Sequence, residues 1–446
     1  MNINNKRIVI FLPSEEFFKL FFALGTALEY MGFKVTFFAF HLRENILLKK
    51  NSVRAYPRNV FSLDNHIVDR ELLTKEEVQR IFSTAIVFGP DQRELIGVYQ
   101  ERLLKVASYV NTYILTEKPV LFIMWGGADF LLEASSVIAK RNHIKVLFLE
   151  NGYFNDTLQV DSVGVNIRSS IFKLSFTEFL SLKKPSIDYC INTLPYSQTK
   201  DIIKLSLRDR FYCFFMRVFI RRYYDFFPEL KSGNYFSARK RRILNSMLKE
   251  DKITLPEKFI FIPLQVHDDT QILFNSPNFK DIEHFIVFCY QKIRDKFGND
   301  YKIVIKEHPE DIFRQSYAHL KEKYKDIIWL RKYNLELLLD KSSMVFVINS
   351  SVGLQALARH KVVVIFGNCF YAYKEIAFKV DRIEDADKVL DRAKNGLTTE
   401  QIHLIDKFVE VIKEEVFIAG GWRRFHQRTI KDLVERIIGN LSDKTS

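Results

Sequence analysis

The sequence has little cysteine. Its four cysteines, Cys190, Cys213, Cys289 and Cys369, lie far apart and form no Cys-x-x-Cys pair. This spacing argues against a zinc site and against a disulfide framework, and it is the usage expected in a reducing cytoplasm. A cytoplasmic location is therefore the first prediction.

Long hydrophobic runs are lacking as well. The apolar stretch near the N-terminus stops at Pro13, too early for the core of a signal peptide, and no stretch has the length of a membrane-spanning helix. The sequence also lacks repeats, low-complexity linkers and a Gly-x-Gly-x-x-Gly loop. A dinucleotide-binding site therefore has no motif to support it.

The charge balance is strongly positive, at +13 over 446 residues. This surplus indicates a polyanionic partner, such as nucleic acid, anionic lipid or a phosphorylated substrate, or else a generally basic surface. With 47% hydrophobic and 27% charged residues, the composition is that of a folded protein long enough for two domains.

Strands and helices alternate in two separate series. The first has strands at 7–12, 34–40, 119–124 and 145–150, with helices from Ser14, the expected N-cap, to about Met31 and near 128–141. The second has strands at 258–264, 301–306, 344–349 and 361–366, with helices near 280–297 and from about 352. Two α/β domains with parallel sheets are therefore predicted, and their ligands should bind at the carboxyl ends of strands.

The domain boundaries follow from these series. We expect an N-terminal domain over 1–255 with a helical insertion at about 171–250, a C-terminal domain over 256–420, and a last segment, 421–446, whose helix packs back on the first domain. The insertion mixes arginines with aromatic residues at 208–227 and 237–249, both predicted helices. It is either a packed insertion with a solvated basic face or a surface that meets a membrane or an acceptor.

Glu150 closes a predicted strand and precedes the turn dipeptide Asn151-Gly152. A carboxylate in this place could act as a general base on a hydroxyl, or it could simply cap nearby backbone groups.

A second polar cluster follows the strand at 258–264, where Gln265, His267, Asp268 and Asp269 come in quick succession. Such groups need partners at the end of a buried strand, and paired aspartates suggest a metal site or a nucleophile. The metal interpretation lacks the Asp-x-Asp spacing. On an extended segment Asp268 and Asp269 would point to opposite faces, so only one of them would meet a ligand.

Two further segments predict a phosphate site. Lys306 and His308 end a buried strand before Pro309, as expected for phosphate contacts, although a lone histidine is more often structural. Ser350 and Ser351 precede a helix whose free N–H groups form an anion site, with ordinary N-capping as the simpler alternative. Gly353 would let a ligand approach the backbone closely.

Taken in order, the segments ENGYF…GVN, PLQVHDDTQI, KEHP and NSSVGLQAL resemble a known family. It comprises the bacterial capsule polysaccharide β-Kdo transferases and the relatives that add β-Kdo to O-antigens, and the resemblance covers about residues 119–170 and 256–375. It implies two Rossmann-like domains facing a cleft, the GT-B arrangement. It also implies transfer from CMP-β-Kdo with net retention of configuration and without a metal or other cofactor.

The resemblance also assigns roles to residues. Asp269 ends the family's Q-x-x-x-D pattern, opened by Gln265, and matches the nucleophile. Glu150 matches the carboxylate placed near the acceptor, and His308 with the Ser350–Ser351 pair matches the CMP-binding positions.

Three other residues complete this interpretation. Gln355 stands where relatives commonly carry glutamate, and its amide could still bind a ribose hydroxyl. Arg168 or His267 could pair with the carboxylate of the donor sugar.

The expected partners are a CMP-sugar donor and a glycan or lipid-linked glycan acceptor. An anionic surface at the inner face of the inner membrane is the partner that the membrane interpretation of the insertion adds. A transferase for another CMP-activated nonulosonic acid is the main alternative. Nucleic-acid binding is a distant one, because it leaves the nucleotide-site residues unexplained and would place aromatics along exposed strands.

Overall fold

The computed structural model describes residues 6–57, 63, 66–85, 96–126, 130–184, 202–219, 240–241 and 243–442. Its strands are β1 Arg7–Phe11, β2 Lys34–Phe38, β3 Ala55–Tyr56, β4 Leu121–Trp125, β5 Lys145–Asn151, β6 Thr157–Asp161, β7 Phe259–Pro263, β8 Lys302–Lys306, β9 Ile327–Leu330, β10 Met344–Val347, β11 Val362–Ile365, β12 Phe378–Lys379 and β13 Phe417–Ala419. Its α-helices are α1 Phe18–Tyr30, α2 Leu42–Lys50, α3 Lys75–Ala85, α4 Ile96–Glu117, α5 Phe130–Arg141, α6 Phe176–Leu180, α7 Leu207–Phe219, α8 Thr270–Asn275, α9 Ile282–Phe297, α10 Ala318–Lys323, α11 Leu335–Lys341, α12 Ser351–Leu357, α13 Ala386–Ala393, α14 Thr399–Val411 and α15 Gln427–Ser442.

The chain forms two compact units. The first contains Met1–Ser170, Lys183–Tyr235 and Lys413–Ser446, and the second contains Ile171–Leu182 and Phe236–Ile412. This division differs from the expected boundaries, because α6 groups with the second unit and β13 with the first. The contacts explain both: Phe179 of α6 packs on Phe408 of α14 with ring centroids 4.5 Å apart, and β13 pairs with β6.

The sheet of the first unit has the strand order β13-β6-β5-β4-β1-β2-β3. Strands β1 to β5 are parallel, whereas β6 and β13 pair antiparallel at one end. When the parallel strands are numbered in chain order, they lie side by side in the sheet as 3-2-1-4-5, which is the Rossmann order. Side chains of β1 alternate between two cores: Ile8 and Ile10 enter one hydrophobic cluster, and Val9 and Phe11 enter the other.

The sheet of the second unit is parallel throughout, in the order β12-β11-β10-β7-β8-β9. Numbered from β7, this order reads 3-2-1-4-5-6, again the Rossmann order. Strand β7 is completely buried. The predicted fold class, α/β with two Rossmann-like domains, is confirmed.

Most of the predicted elements are confirmed within one to three residues at their ends, but the start of the first helix is not as expected. Residues Glu15–Phe17 form a 3-10 turn before α1, and Ser14 makes no side-chain capping hydrogen bond. The Glu15 N–H donates instead to Oε1 of Glu44, at 2.8 Å. A carboxylate from α2 thus satisfies one free N–H group at the start of this helical segment, in place of the side-chain cap expected from Ser14.

The predicted insertion is described only in part. Its first basic helix is α7, and residues 240–241 and 243–247 are helical in the second predicted segment. Residues 220–227, 237–239 and 242 lie outside the described residues. Within the part of the chain that the structure describes, no helix combines the length and the apolar character needed to cross a membrane.

Helix α15 is far from α1 in sequence, but the two pack together in the first unit. Its buried side chains recur every three or four residues, which places them on one face: Ile430, Leu433, Val434, Ile437, Ile438 and Leu441. All six belong to the same hydrophobic cluster as Ile8 and Ile10 of β1. The end of the chain therefore completes the core of the first unit.

This packing makes a stability prediction for the first unit. Replacing the fully buried Leu433 with alanine (Leu433→Ala) should lower the free energy of unfolding by about 2–5 kcal/mol, because it leaves a cavity between α15 and the sheet. Urea unfolding can be followed by tryptophan fluorescence, since Trp125 and Trp422 pack at the margin of this core. The control is Arg428→Ala on the same helix, whose side chain is 86% exposed. Equal stability of the two variants would contradict the assignment of α15 to this core.

Candidate functional site

Three loops leave the second sheet side by side at its carboxyl edge. Strand β7 lies between β8 and β10, and all three run parallel. The residues that follow them are therefore neighbours: 264–269 after β7, 307–311 after β8 and 348–350 after β10. The order of the strands reverses between β7 and β10, and α/β sheets bind their ligands at such a switch point. The topology thus brings together three of the predicted segments.

Lys306 and His308 lie at this edge and are both partly buried. Burial lowers the pKa of the Lys306 amine. Burial is also the largest cause of the lowered pKa of His308; the Lys306 charge lowers it further, whereas the carboxylates of Asp311 and Asp269 raise it. Because these charges act on the imidazole, Lys306, His308 and Asp269 form one electrostatic cluster.

The neutral form of His308 has a defined hydrogen-bonding pattern. Its Nδ1 accepts the N–H of Glu310 at 3.2 Å. The proton of the neutral ring is then on Nε2, which makes that nitrogen a hydrogen-bond donor. A donor of this kind beside a lysine suits a phosphate group.

Asp268 and Asp269 differ in their partners. Residues 267–268 form a turn, so the expectation that the two aspartates alternate along an extended segment is wrong. Asp269 is the N-cap of α8, and its Oδ1 accepts the N–H of Gln271 at 2.9 Å. The Asp268 carboxylate forms an ion pair with Arg314. The charge of Asp268 is therefore neutralised by a side chain, whereas Asp269 is oriented by a backbone group.

The position of His267 is set by Asp311, a residue that sequence reasoning missed. The side chain of Asp311 is 2% exposed. Its Oδ2 accepts the backbone N–H of His267 at 2.8 Å, and its Oδ1 lies 2.7 Å from Nδ1 of the same residue. In the sequence, Asp311 is visible only as a carboxylate two residues after Lys-x-His-Pro. Its contact with the loop after β7 is made by the fold.

Gln265 was expected to contact the donor, and in the structure its amide forms hydrogen bonds with Asn349. Its Nε2 donates to Oδ1 of Asn349 at 2.9 Å, and its Oε1 accepts the backbone N–H of Asn349 at 3.3 Å. The Asn349 amide in turn donates to the carbonyl of Gln271 at 2.9 Å. Gln265 therefore joins the loop after β7 to the loop after β10, a contact that no local pattern could predict.

Ser350 is the N-cap of α12, and Ser351 is the first residue of that helix. The Ser350 Oγ accepts the N–H of Val352 at 3.3 Å. The capping alternative is therefore confirmed for Ser350. It still leaves the half-buried Ser351 hydroxyl at the start of the helix.

Gly353 and Gln355 lie further along α12 and are both buried. A Cβ at Gly353 would meet the hydroxyl of Tyr371 at 2.4 Å and Cγ2 of Val347 at 3.0 Å. The close approach expected of a ligand is therefore made by Tyr371, which also donates to the carbonyl of Ser350. Gln355 is 8% exposed, and its backbone carbonyl accepts a hydrogen bond from Nη1 of Arg359 at 2.9 Å.

The first unit has its own candidate group, Glu150 at the end of β5. Burial raises the pKa of this carboxyl group, and the N–H of Asn151 donates to its Oε1 at 2.9 Å. The other oxygen, Oε2, lies only 3.4 Å from the place of a Cβ on Gly126, which has a φ of +69°. The backbone-capping role of Glu150 is confirmed, and a raised pKa also suits a general base.

A cavity of about 270 Å³ opens at the carboxyl edge of the first sheet, where the strand order reverses between β1 and β4. Its lining is mainly apolar: Phe11, Leu12, Pro13, Phe38, Phe40, His41, Trp125, Gly126, Leu131 and Leu132. Because Gly126 belongs to this lining, Glu150 lies beside the cavity. This arrangement can hold an apolar face of a ligand next to a carboxylate.

Arg168 already has an ion-pair partner within its own unit. It belongs to the first unit, where its Nη1 lies 2.7 Å from Oε2 of Glu133 on α5. The expected pairing with the carboxylate of a donor would therefore compete with an existing ion pair. His267 is the alternative that the sequence left open.

Across the described ranges, no three or more His, Cys, Asp or Glu side chains are grouped so that they could hold a metal ion.

Known proteins are similar to the part of the chain that contains most of these residues. Residues 121–394 match the model of a family described as "Capsule polysaccharide biosynthesis protein". Protein FixF of Sinorhizobium fredii is 23% identical over 261 residues, which cover 58% of this chain and 51% of that protein. The capsule polysaccharide export protein KpsS of Escherichia coli is 25% identical over 151 residues, or 32% of this chain and 38% of that protein. These matches thus span about half or less of the length of the two relatives.

Among solved structures, the "Thermosulfurimonas dismutans KpsC, beta Kdo 2,7 transferase" is similar at 16% identity. The similarity covers 75% of this chain and 89% of that one, with a TM-score of 0.37. The family match spans more than half of the chain and contains Glu150, Asp269, His308 and Ser350. The chain belongs to the capsule polysaccharide biosynthesis protein family.

Proposed function

We propose that this chain is a retaining glycosyltransferase that moves β-Kdo from CMP-β-Kdo onto a cell-surface glycan precursor of a capsule or O-antigen. The observation that carries the proposal is the cluster at the carboxyl edge of the second sheet. There, the loops after β7, β8 and β10 leave the sheet side by side, and the charges of Lys306 and Asp269 both act on the His308 imidazole. Membership of a capsule polysaccharide biosynthesis family is consistent with this activity.

The donor side of the proposal is a phosphate site without a metal. Lys306 supplies a positive charge, the Nε2–H of His308 supplies a hydrogen bond, and the Ser351 hydroxyl stands at the start of α12. Together these groups can stabilise the negative charge that develops on the phosphate of departing CMP. Metal independence remains part of the proposal.

In the first chemical step, the Asp269 carboxylate attacks C2 of the sugar. The bond from C2 to the phosphate oxygen breaks, and CMP leaves with the electron pair. In the second step, an acceptor hydroxyl attacks C2 from the other face while Glu150 takes its proton, and Asp269 is released. Two inversions give net retention, as in retaining glycosidases.

The apolar cavity beside Glu150 supports an acceptor role for the first unit. Ring faces of aromatic residues can hold the apolar face of a sugar or an attached lipid, while the carboxylate meets a hydroxyl. The acceptor is thus a glycan or a lipid-linked glycan. Another CMP-activated nonulosonic acid would use the same phosphate contacts, so a donor screen with CMP-Kdo and CMP-linked relatives decides the sugar.

The donor site is tested by CMP binding. The His308→Ala substitution should weaken CMP binding by about 1.5–3 kcal/mol, because it removes a hydrogen bond to a charged phosphate. Isothermal titration calorimetry measures the change. The control is His319→Ala, because the side chain of His319 in the same unit is 60% exposed and pairs with Glu283. CMP affinity equal to that of the wild type in His308→Ala would refute the phosphate assignment.

The nucleophile is tested by trapping the sugar. Incubated with CMP-Kdo and no acceptor, the wild type should gain the mass of one sugar, and Asp269→Asn should not. Intact-protein mass spectrometry measures this gain. Asparagine is also a good N-cap, so the variant should fold and still bind CMP, but its amide cannot attack C2.

Asp268→Asn is the matched control for this experiment. Its partner is Arg314, so its loss should reduce activity only through orientation and should leave the adduct in place. An Asp269→Asn enzyme with near-normal turnover would rule out the proposed role of this residue.

We also propose an anionic membrane surface as a partner of the first unit, on the basis of α7. Leu207, Phe211 and Phe215 lie four residues apart on this helix and are exposed by 86%, 69% and 43%. Two polar residues of the helix form ion pairs within its own unit: Asp209 pairs with Lys50 and Arg210 with Glu15, each at 2.6 Å. An apolar stripe on a protein of charge +13 suits shallow insertion among anionic head groups.

Vesicle binding tests this surface. The wild type should sediment with vesicles of anionic phospholipid at low ionic strength and dissociate as salt is added. Phe211→Ser should lower the partition coefficient by about tenfold, because less apolar surface enters the bilayer. The control is Tyr30→Ser, which removes another exposed aromatic side chain of the same unit. If the wild type does not bind vesicles at low salt, the alternative holds, in which α7 has a solvated basic face and does not meet a membrane.

A further inference from the structure

The pair formed by Asp311 and His267 is not explained by the roles assigned so far. Asp311 lies within the turn at 309–314 that follows His308, and its side chain is buried. It bonds to His267 twice, through the backbone N–H and through Nδ1. The His267 side chain is 34% exposed, so its ring reaches from a buried carboxylate toward the open edge of the sheet.

The chemistry of this contact follows from what a carboxylate can do. An ionised carboxylate only accepts hydrogen bonds, so the short contact requires a proton on Nδ1 of His267. Buried carboxylates also need a compensating positive charge, and the nearest guanidinium nitrogen, Nη1 of Arg314, is 3.8 Å away. Arg314 is shared with Asp268. An imidazolium at His267 would supply the missing charge.

The donor, being anionic, needs positive charges around it. A CMP-linked acid sugar carries two anionic groups, the phosphate and the carboxylate. At this edge Lys306 offers one cation, while burial disfavours the charged form of His308. Arg168, the other candidate, pairs with Glu133 in the first unit. A second cation at this edge would balance the second anionic group of the donor, and within 264–269 His267 is the residue that can carry a positive charge.

We propose that Asp311 is a positioning residue that makes His267 the second cation of the donor site. Asp311 holds Nδ1–H, and the ring then presents Nε2–H to an anionic group of the donor. This inference rests on the proposed function, because it takes the ligand to be a CMP-activated acid sugar. The same arrangement of a carboxylate behind a histidine fixes ring orientation and charge in other sites.

The first measurement needs no variant of Asp311. In protein labelled with ¹⁵N-histidine, the signal of His267 is identified by its loss in His267→Gln. With CMP-Kdo bound to the Asp269→Asn enzyme, both ring nitrogens of His267 should be protonated. Without ligand, Nδ1 should already carry a proton. A ring whose Nδ1 is unprotonated in the free protein would overturn the inference.

The second measurement separates positioning from folding. In Asp311→Asn the amide can still accept the N–H of His267, so the unfolding midpoint should stay near that of the wild type. Its NH₂ group would donate to Nδ1, which leaves a neutral ring with Nε2–H. The affinity for the donor should fall by about tenfold, since a charged hydrogen bond becomes a neutral one. His267→Gln should show the same loss and does not depend on how Asp311→Asn folds.

Two ligands show which anionic group His267 meets. If it meets the phosphate, CMP and CMP-Kdo should both bind more weakly to the two variants; if it meets the sugar carboxylate, only CMP-Kdo should. Either result supports the inference, and unchanged affinity for both ligands overturns it. Asp326→Asn, which removes an exposed carboxylate paired with Arg294, is the control. A wild type that binds neither ligand would instead refute the proposed function, while the signal of His267 in the free protein would still decide the role of Asp311.

Discussion

The candidate donor site depends on the parallel pairing of β7 with β8 on one side and β10 on the other. This pairing places three loops, at 264–269, 307–311 and 348–350, at one edge of one sheet. The loops are then held by side chains: Gln265 bonds to Asn349, and Asp311 bonds to His267. Because each bond joins the loop after β7 to a different neighbour, the loop cannot move without breaking one of them.

Burial at this edge gives the polar groups different tasks. Gln265 and Asn349 satisfy each other and so hold the loops without contributing charge. In the proposed function Lys306 and His308 act on the donor, and burial makes the charged form of each less favourable than in water. A site of this kind gains most when a bound anion restores the charge balance. A phosphate is such an anion.

The first unit shows the same Rossmann order with a different chemical character at its switch point. The cavity between the ends of β1 and β4 is lined mainly by aromatic and aliphatic side chains. The carboxyl group of Glu150, which lies beside Gly126 in this lining, has a raised pKa because it is buried. One sheet topology thus supports a charged edge in one unit and a mainly apolar edge beside the Glu150 carboxylate in the other.

The sequence by itself determined the two α/β units and most of the segments at their strand ends. Buried strands are short apolar runs, and the polar residues that interrupt them, such as Asp269 and His308, mark where they end. The sequence could not reveal the antiparallel pair β6 and β13, because these short strands come from distant parts of the chain. Only the tertiary structure decided that Tyr371 fills the space beside Gly353, that Arg168 pairs with Glu133 and that Asp311 holds His267. Each of these contacts joins residues that are separated in sequence. A local sequence pattern cannot predict which distant residues the fold places beside it.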